Sequence, residues 1–310
     1  MTKDIHISVS PHIHSGRSTQ KIMLDVIISL LPTTVAGVII FGFRSLAVVA
    51  ICVLSCLISE AIFNLIIKKE QTIGDLSAVV TGLLLALNLP ANVPFWEAVI
   101  GSIFGIVVVK CIFGGIGKNL VNPAMTARVF MIVSFGAIAA PAYPKNMPDA
   151  ISGATPLVLI GEGNTPSILD LLLGRHGGAI GETCAIALLL GGLYLIIRKT
   201  ITWHVPVSYI GGTFLFHFFF GGFDALSALA AVLSGGLLIG AIFMATDYVT
   251  SPTTPKGKLV FGVGCAFITV VIRIWGVYPE GVSFAILLMN ILTPYIDSFT
   301  SRKLFGGKRA

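Results

Sequence analysis

Long apolar runs alternate with short polar breaks along almost the whole chain. Each run approaches the roughly 20 residues that an α-helix needs to cross the ~30 Å hydrocarbon core of a bilayer. Runs near residues 22 to 41, 44 to 67, 75 to 90, 95 to 113 and 122 to 140 are followed by others near 181 to 197, 204 to 221, 225 to 245, 258 to 276 and 281 to 297. The pattern predicts ten membrane-spanning helices. Several are short or interrupted by Gly and Pro, notably at Leu89 and Pro90, as expected of spans whose backbone is broken inside the protein. The first run follows a polar arm containing His6, His12, His14, Arg17 and Lys21, with no small-residue cleavage site after it, and reads as a span rather than a removed leader.

Positive charge tests this count, because Lys and Arg gather in cytoplasmic loops. With the amino terminus inside, the inner loops hold Lys68 and Lys69, Lys118, Arg198 and Lys199, and Lys256 and Lys258, and the tail ends with Arg302, Lys303, Lys308 and Arg309. The outer loops contain Arg44, then Asp149 to Glu182, Asp224 and Glu280. The expected layout is an inner arm 1–21, five helices over 22–140, an outer loop 141–180, five helices over 181–297, and a basic inner tail 298–310. Composition agrees, since 55% of the 310 residues are hydrophobic and only 11% charged, against about 25% charged in a soluble domain. The net charge of +6 is accounted for by span ends, and no nucleic-acid motif accompanies it. Cys52, Cys56, Cys111, Cys184 and Cys265 fall in or beside apolar runs and read as buried reduced thiols.

The two halves echo each other. Asp75 to Leu87, through Leu76, Ser77, Ala78, Thr81 and Gly82, has a counterpart in Asp224 to Leu238, with Leu226, Ser227, Ala228, Ser234 and Gly235. In each half a long apolar span and then an asparagine follow, Asn122 or Asn290. Five spans per half make the second copy inverted, so the expected architecture is an all-α polytopic membrane protein of two inverted five-helix repeats.

The linker between the halves holds the most specific chemistry. Asp149-Ala150-Ile151-Ser152-Gly153-Ala154-Thr155 offers a nucleophilic hydroxyl at Thr155 behind small residues that let another active site close on the backbone. Pro156 biases Thr155 toward an extended conformation. As a bare heptapeptide the stretch also suits an ordinary turn. It resembles the flavinylation motif Asp-x-x-Ser/Thr-Gly-Ala-Thr, in which a flavin transferase moves FMN from FAD onto the last threonine through a phosphoester. The resemblance implies covalent FMN at Thr155, with Asp149, Ser152, Gly153 and Ala154 recognised by the transferase.

Three further stretches carry a wider resemblance: Thr81 to Pro94; Phe113 to Arg128, which includes Asn122-Pro123-Ala124-Met125-Thr126-Ala127-Arg128; and Gly177 to Thr183. With the motif they resemble, over roughly residues 20 to 297, the D subunit of the Rnf electron-transport complex and its relative, the B subunit of sodium-pumping NADH:quinone oxidoreductase. The short amino-terminal arm favours the Rnf side. The resemblance implies a bacterial or archaeal cytoplasmic (inner) membrane subunit relaying electrons between ferredoxin and NAD⁺ with movement of Na⁺ or H⁺. It would work beside other Rnf subunits that hold iron–sulfur clusters and flavins, including the NAD and ferredoxin sites. A second, noncovalent flavin such as riboflavin is left open.

Arg128 is an intramembrane cation, which is costly unless it faces a partner or cavity. With Lys118, Asn119 and Asn122 just before it, Arg128 is a candidate contact for flavin, although Lys118 also suits a headgroup-facing role. Glu182 opens the sixth run, where a carboxylate complements a helix dipole or handles flavin or a cation. Glu97 and Asp247 are acids at membrane depth, open between capping, a buried pair and an ion path. His217, among Phe214, Phe216, Phe218, Phe219 and Phe220, suits ring packing. Inverted repeats with broken spans equally serve a small-solute channel or permease, or a non-redox scaffold. Neither of those has a use for a flavinylation motif.

Overall fold

The computed structural model describes residues 18–136, 141–144, 155–276 and 280–301. The first half comprises α1 (Thr19–Phe41), α2 (Phe43–Ile67), α3 (Ser77–Leu87), α4 (Phe95–Ile103, prolonged by a π-helical stretch Phe104–Cys111) and α5 (Pro123–Ser134). Two short helices, α6 (Pro156–Gly161) and α7 (Ile168–Leu173), lie in the connection. The second half comprises α8 (Ala185–Ile197), α9 (His204–Phe220), α10 (Ala225–Leu233), α11 (Leu237–Ile239, prolonged by π-helical Gly240–Met244), α12 (Pro255–Trp275) and α13 (Val282–Thr300). Among the described residues there is no strand, and one isolated bridge pairs Ala142 with Gly178.

Four helices, α1, α2, α12 and α13, are long and apolar enough to cross a membrane, and α10 with α11 forms a fifth such unit bent by 66°. Their outward faces are apolar: Ile39 is 76% exposed and Phe43 80%, which suits contact with lipid rather than water. The protein is a multi-pass membrane protein. The other predicted spans are shorter than their apolar runs. Helices α3, α5 and α8 have 11, 12 and 13 residues, or about 16 to 20 Å at 1.5 Å per residue. None of these crosses the hydrocarbon core unaided.

The backbone leaves the helix at Asn88 because Pro90 follows two residues later and the freed groups find partners elsewhere. The carbonyl of Leu87 accepts from Gly181 N at 2.7 Å and that of Leu89 from Ile180 N at 3.0 Å. Arg44 donates to the Ala91 carbonyl through Nε at 3.0 Å and to the Asn92 carbonyl through Nη2 at 3.1 Å. The 177–183 stretch is therefore inserted backbone that completes a broken helix. Its other side is tied down by Gly178, whose N–H donates to the Ala142 carbonyl at 2.9 Å.

In the first half α2 packs along α3 and α4, and in the second α9 packs along α10 and α12. Helices α1 and α8 meet across the halves, as do α5 and α13. Leu85, Leu87, Leu89, Ile239 and Met244 are fully buried around the two breaks, which places the core where α3 and the α10–α11 bend converge. The two asparagines predicted to correspond also meet. With its amide set to suit both neighbours, Asn290 accepts from Asn122 N and donates to the Thr250 carbonyl, each at 3.2 Å.

Close approach of α2 and α3 depends on Gly82, where a Cβ would lie 2.8 Å from Val53 Cα. That contact is with backbone, which cannot rotate away. Gly82→Val is expected to lower stability by about 1–3 kcal/mol through overpacking, read as a fall in the apparent melting temperature of detergent-solubilised protein.

Candidate functional site

Asn88 ends α3, Arg128 lies midway along α5, and Glu280 sits just before α13, so three distant segments supply one buried cluster. Arg128 donates through Nη1 to Asn88 Oδ1 at 2.6 Å and forms an ion pair through Nη2 with Glu280 Oε2. Glu280 Oε1 accepts from Gly236 N at 2.9 Å, in the bend between α10 and α11. Glu182 is hydrogen-bonded to Glu280. Arg273, from α12, donates to the carbonyls of Ala231 at 2.6 Å and Ser234 at 3.1 Å, satisfying the end of α10 as a basic side chain does at a helix C-terminus.

Thr155 precedes the short helix α6, which packs on the bend beside this cluster through Leu157. The threonine has φ −69° and ψ 157°, the extended conformation expected ahead of Pro156. Its side chain does not cap the helix, and its buried Oγ1 has no hydrogen-bond partner among the described residues. Two residues on, Leu157 packs on the bend: a Cβ built on Gly235 would meet Leu157 Cδ1 at 2.8 Å, Arg273 Nη2 at 3.2 Å and Glu280 Oε1 at 3.5 Å. Helix α6 thus forms a wall of a cavity of about 300 Å³ that is also lined by His217, Phe220, Ser227 and Arg273. His217 Nδ1 and Arg273 Nε are buried without hydrogen-bond partners among the described residues. Asp149, Ser152, Gly153 and Ala154 lie outside the described residues.

The remaining predicted site residues divide between two places. Arg128 and Glu182 join the buried cluster with Asn88 and Glu280. Glu182 does not open a helix, since α8 begins at Ala185 after Cys184, and its carboxyl turns to Glu280 instead of a helix dipole. Asn122 N-caps α5 by accepting from Ala124 N at 3.0 Å and Met125 N at 3.3 Å, one helical turn and more from Arg128. With Asn119 it lines a separate crevice of about 100 Å³ that includes Ser77, Thr81, Lys110 and Asp247. Lys118 is not among the residues lining it.

Beside that crevice lies a second buried ion pair. Lys110 Nζ contacts Glu60 Oε1 at 2.8 Å and donates to Ser77 Oγ at 2.6 Å. Thr72 Oγ1 also donates to Glu60 Oε1, at 2.7 Å. Neither member was singled out from the sequence, nor were Asn88 and Arg273. The available signal was a charged residue inside an apolar run, which marks Glu60, Lys110 and Arg273. Asp247 holds its own turn, accepting from Val249 N at 3.2 Å and Thr250 Oγ1 at 3.2 Å. Glu97 is buried in the first turn of α4 with Oε2 unpartnered.

The profile described as the NQR2, RnfD, RnfE family matches residues 6–306. The chain belongs to that family. It is 46% identical over 309 residues to the D subunit of the Na(+)-translocating ferredoxin:NAD(+) oxidoreductase complex of Acetobacterium woodii, covering 98% of this chain and 96% of the relative. It is 39% identical over 320 residues to the D subunit of the proton-translocating ferredoxin:NAD(+) oxidoreductase complex of Clostridium ljungdahlii, covering 98% of this chain and 96% of the relative. The D subunit of the ion-translocating oxidoreductase complex of Yersinia pseudotuberculosis serotype I is 33% identical over 350 residues, at 98% and 99% coverage. The resemblance expected from Thr81–Pro94, Phe113–Arg128 and Gly177–Thr183 is thus met along nearly the full length of this NQR2, RnfD, RnfE family member.

Proposed function

We propose that this chain is the membrane D subunit of an ion-translocating ferredoxin:NAD⁺ oxidoreductase complex and that it relays electrons through FMN bound covalently to Thr155. The observation that carries the reading is the Thr155 hydroxyl, buried and without a hydrogen-bond partner among the described residues, at the end of a complete flavinylation motif. The residues that line the cavity beside α6 fit such a group. That cavity, about 300 Å³, is at the lower end of the range for small-ligand sites. Leu157, Ile160 and Phe220 offer apolar walls, and His217 and Arg273 each present an unpartnered nitrogen. A bound flavin would supply one- and two-electron transfer. The chain's own part is to fix the attachment point on a helix packed against the bend and to exclude water from the apolar walls.

Attachment needs a flavin transferase. The Thr155 oxygen would bond to the phosphorus of the FMN moiety of FAD as the pyrophosphate bond breaks, with AMP leaving and the hydroxyl proton lost to the transferase's base. The small residues Ser152, Gly153 and Ala154 would give that enzyme access. Partners therefore include the transferase during maturation and the other Rnf subunits afterwards, which would carry the ferredoxin and NAD sites. The Acetobacterium and Clostridium relatives are named for Na⁺ and for protons respectively, so kinship alone does not choose the ion.

The ten runs fit two inverted repeats, 22–140 and 181–297, in which α1, α2, α3, α4 and α5 correspond to α8, α9, α10–α11, α12 and α13. Two features support this. The packing order of α2 with α3 and α4 is that of α9 with α10 and α12. The half-helices also begin alike: Asp75 Oδ1 accepts from Ser77 N at 2.8 Å, and Asp224 Oδ1 from Leu226 N at 3.0 Å. The charge bias supports a cytoplasmic location for both termini and an outer location for Thr155. A second, noncovalent flavin such as riboflavin would suit the Asn119–Asn122 crevice in hydrogen-bonding chemistry. At about 100 Å³ the crevice must widen to admit one.

The test is in-gel flavin fluorescence of the denatured chain after co-expression with a flavin transferase. A fluorescent band at this polypeptide is expected. A dark band, with the transferase active on a control substrate, removes the flavin reading.

A further inference from the structure

The contact between Glu182 and Glu280 is not used by the electron-relay reading, and it has a chemical requirement of its own. Two carboxylates at hydrogen-bond distance in a buried site do not both stay ionised; one proton must lie between them. Which oxygen pair holds the charge follows from the neighbours. Glu280 is fixed as the anion by the Arg128 guanidinium and by Gly236 N at 2.9 Å. The cation nearest Glu182 has therefore already taken its anion. Glu182 is 9% exposed, and its Oε1 occupies the space a Cβ on Gly178 would need, so it is wedged against the inserted 177–183 backbone.

Among the described residues the other charged group facing the pair is Arg273, which reaches the bend from α12. The guanidinium of Arg128, 5% exposed, turns both Nη atoms to the cluster, and its buried Nε has no hydrogen-bond partner among the described residues. The two acids also come from different halves of the chain. Glu280 contacts the bend that α6 covers, which puts the pair next to the segment carrying Thr155.

The geometry points to Glu182 and Glu280 as a proton-binding site that holds one shared proton at the junction of the two halves. Its ligand is H⁺, with Glu182 as the acid and Glu280 as the carboxylate it donates to. The site does not depend on flavin attachment, so it stands or falls separately from the electron-relay reading.

Infrared spectroscopy of the full-length chain purified in detergent, in H₂O and in D₂O, reads the carboxylic-acid C=O stretch directly. Glu182→Gln is the informative variant, because its amide donates to Glu280 as the acid does and leaves the Arg128–Glu280 pair intact. Loss of one carboxylic acid per chain is expected in Glu182→Gln. The same loss is expected in Glu280→Gln, where Glu182 becomes the anion beside Arg128. An undiminished band in Glu182→Gln overturns the proposal whether or not Glu280→Gln folds. A band lost in Glu182→Gln and retained in folded Glu280→Gln shows an independently protonated Glu182 and overturns the shared proton.

Discussion

Arg128→Leu is expected to destabilise the protein by about 3–5 kcal/mol, the usual consequence of removing one partner of a buried ion pair. Three groups lose their donor or counter-charge at once. Glu280, whose side chain is 20% exposed, keeps its charge without a cation at its Oε2, Asn88 Oδ1 loses a 2.6 Å bond, and the Glu182–Glu280 pair loses its nearest positive charge. The effect should appear as a large drop in apparent melting temperature in detergent, together with poor accumulation in the membrane. Pairing the change with Glu280→Leu should recover part of the loss, because replacing both charges removes the uncompensated carboxylate. Asn88 Oδ1 and Gly236 N lose their partners in the double variant, so recovery is incomplete. A single variant as stable as wild type would mean that the cluster does not hold the two halves together.

Thr155→Val should abolish covalent flavin altogether while leaving the fold intact. Valine matches threonine in shape and removes only the hydroxyl. That hydroxyl makes no hydrogen bond to the described residues and does not cap α6, so no contact among them is lost with it. Valine also tolerates the extended backbone at this position, φ −69° and ψ 157°. The variant should therefore reach the membrane and melt near the wild-type temperature, with its band on a denaturing gel dark. Electron transfer through the assembled complex should fall with it. Serine at the same position keeps the nucleophile, and any residual labelling of Thr155→Ser would report on how strictly the transferase reads the methyl group.

Helix identity and order were legible in the apolar runs, and so were the four long spans, because a run of lipid-facing residues has no other stable arrangement. The short helices were not. Apolar residues continue past Leu87 through Leu89 and Val93, and hydropathy does not register that the backbone has turned and bonded to Ile180 and Gly181. The same limit hid the role of Gly177–Thr183, whose Gly-rich sequence gave the family resemblance but not its use as inserted backbone. Arg128 was legible as a lone cation in an apolar run that needed a partner. Glu280, in a predicted loop, could not be identified as that partner until the halves were folded together. Glu182 shows the converse error, a plausible local role at a helix start displaced by a tertiary contact. Thr155 could be singled out from sequence alone because its motif is contiguous, and its role as the attachment point is the proposal under test.

The central claim, FMN on Thr155, is tested most directly by mass spectrometry of the peptide that contains Thr155, taken from the chain isolated after co-expression with a flavin transferase. The account predicts that this peptide carries the mass of FMN less water, with fragmentation placing the addition on Thr155 and on no other residue. An unmodified peptide, or FMN located at another residue of a fluorescent chain, would contradict it.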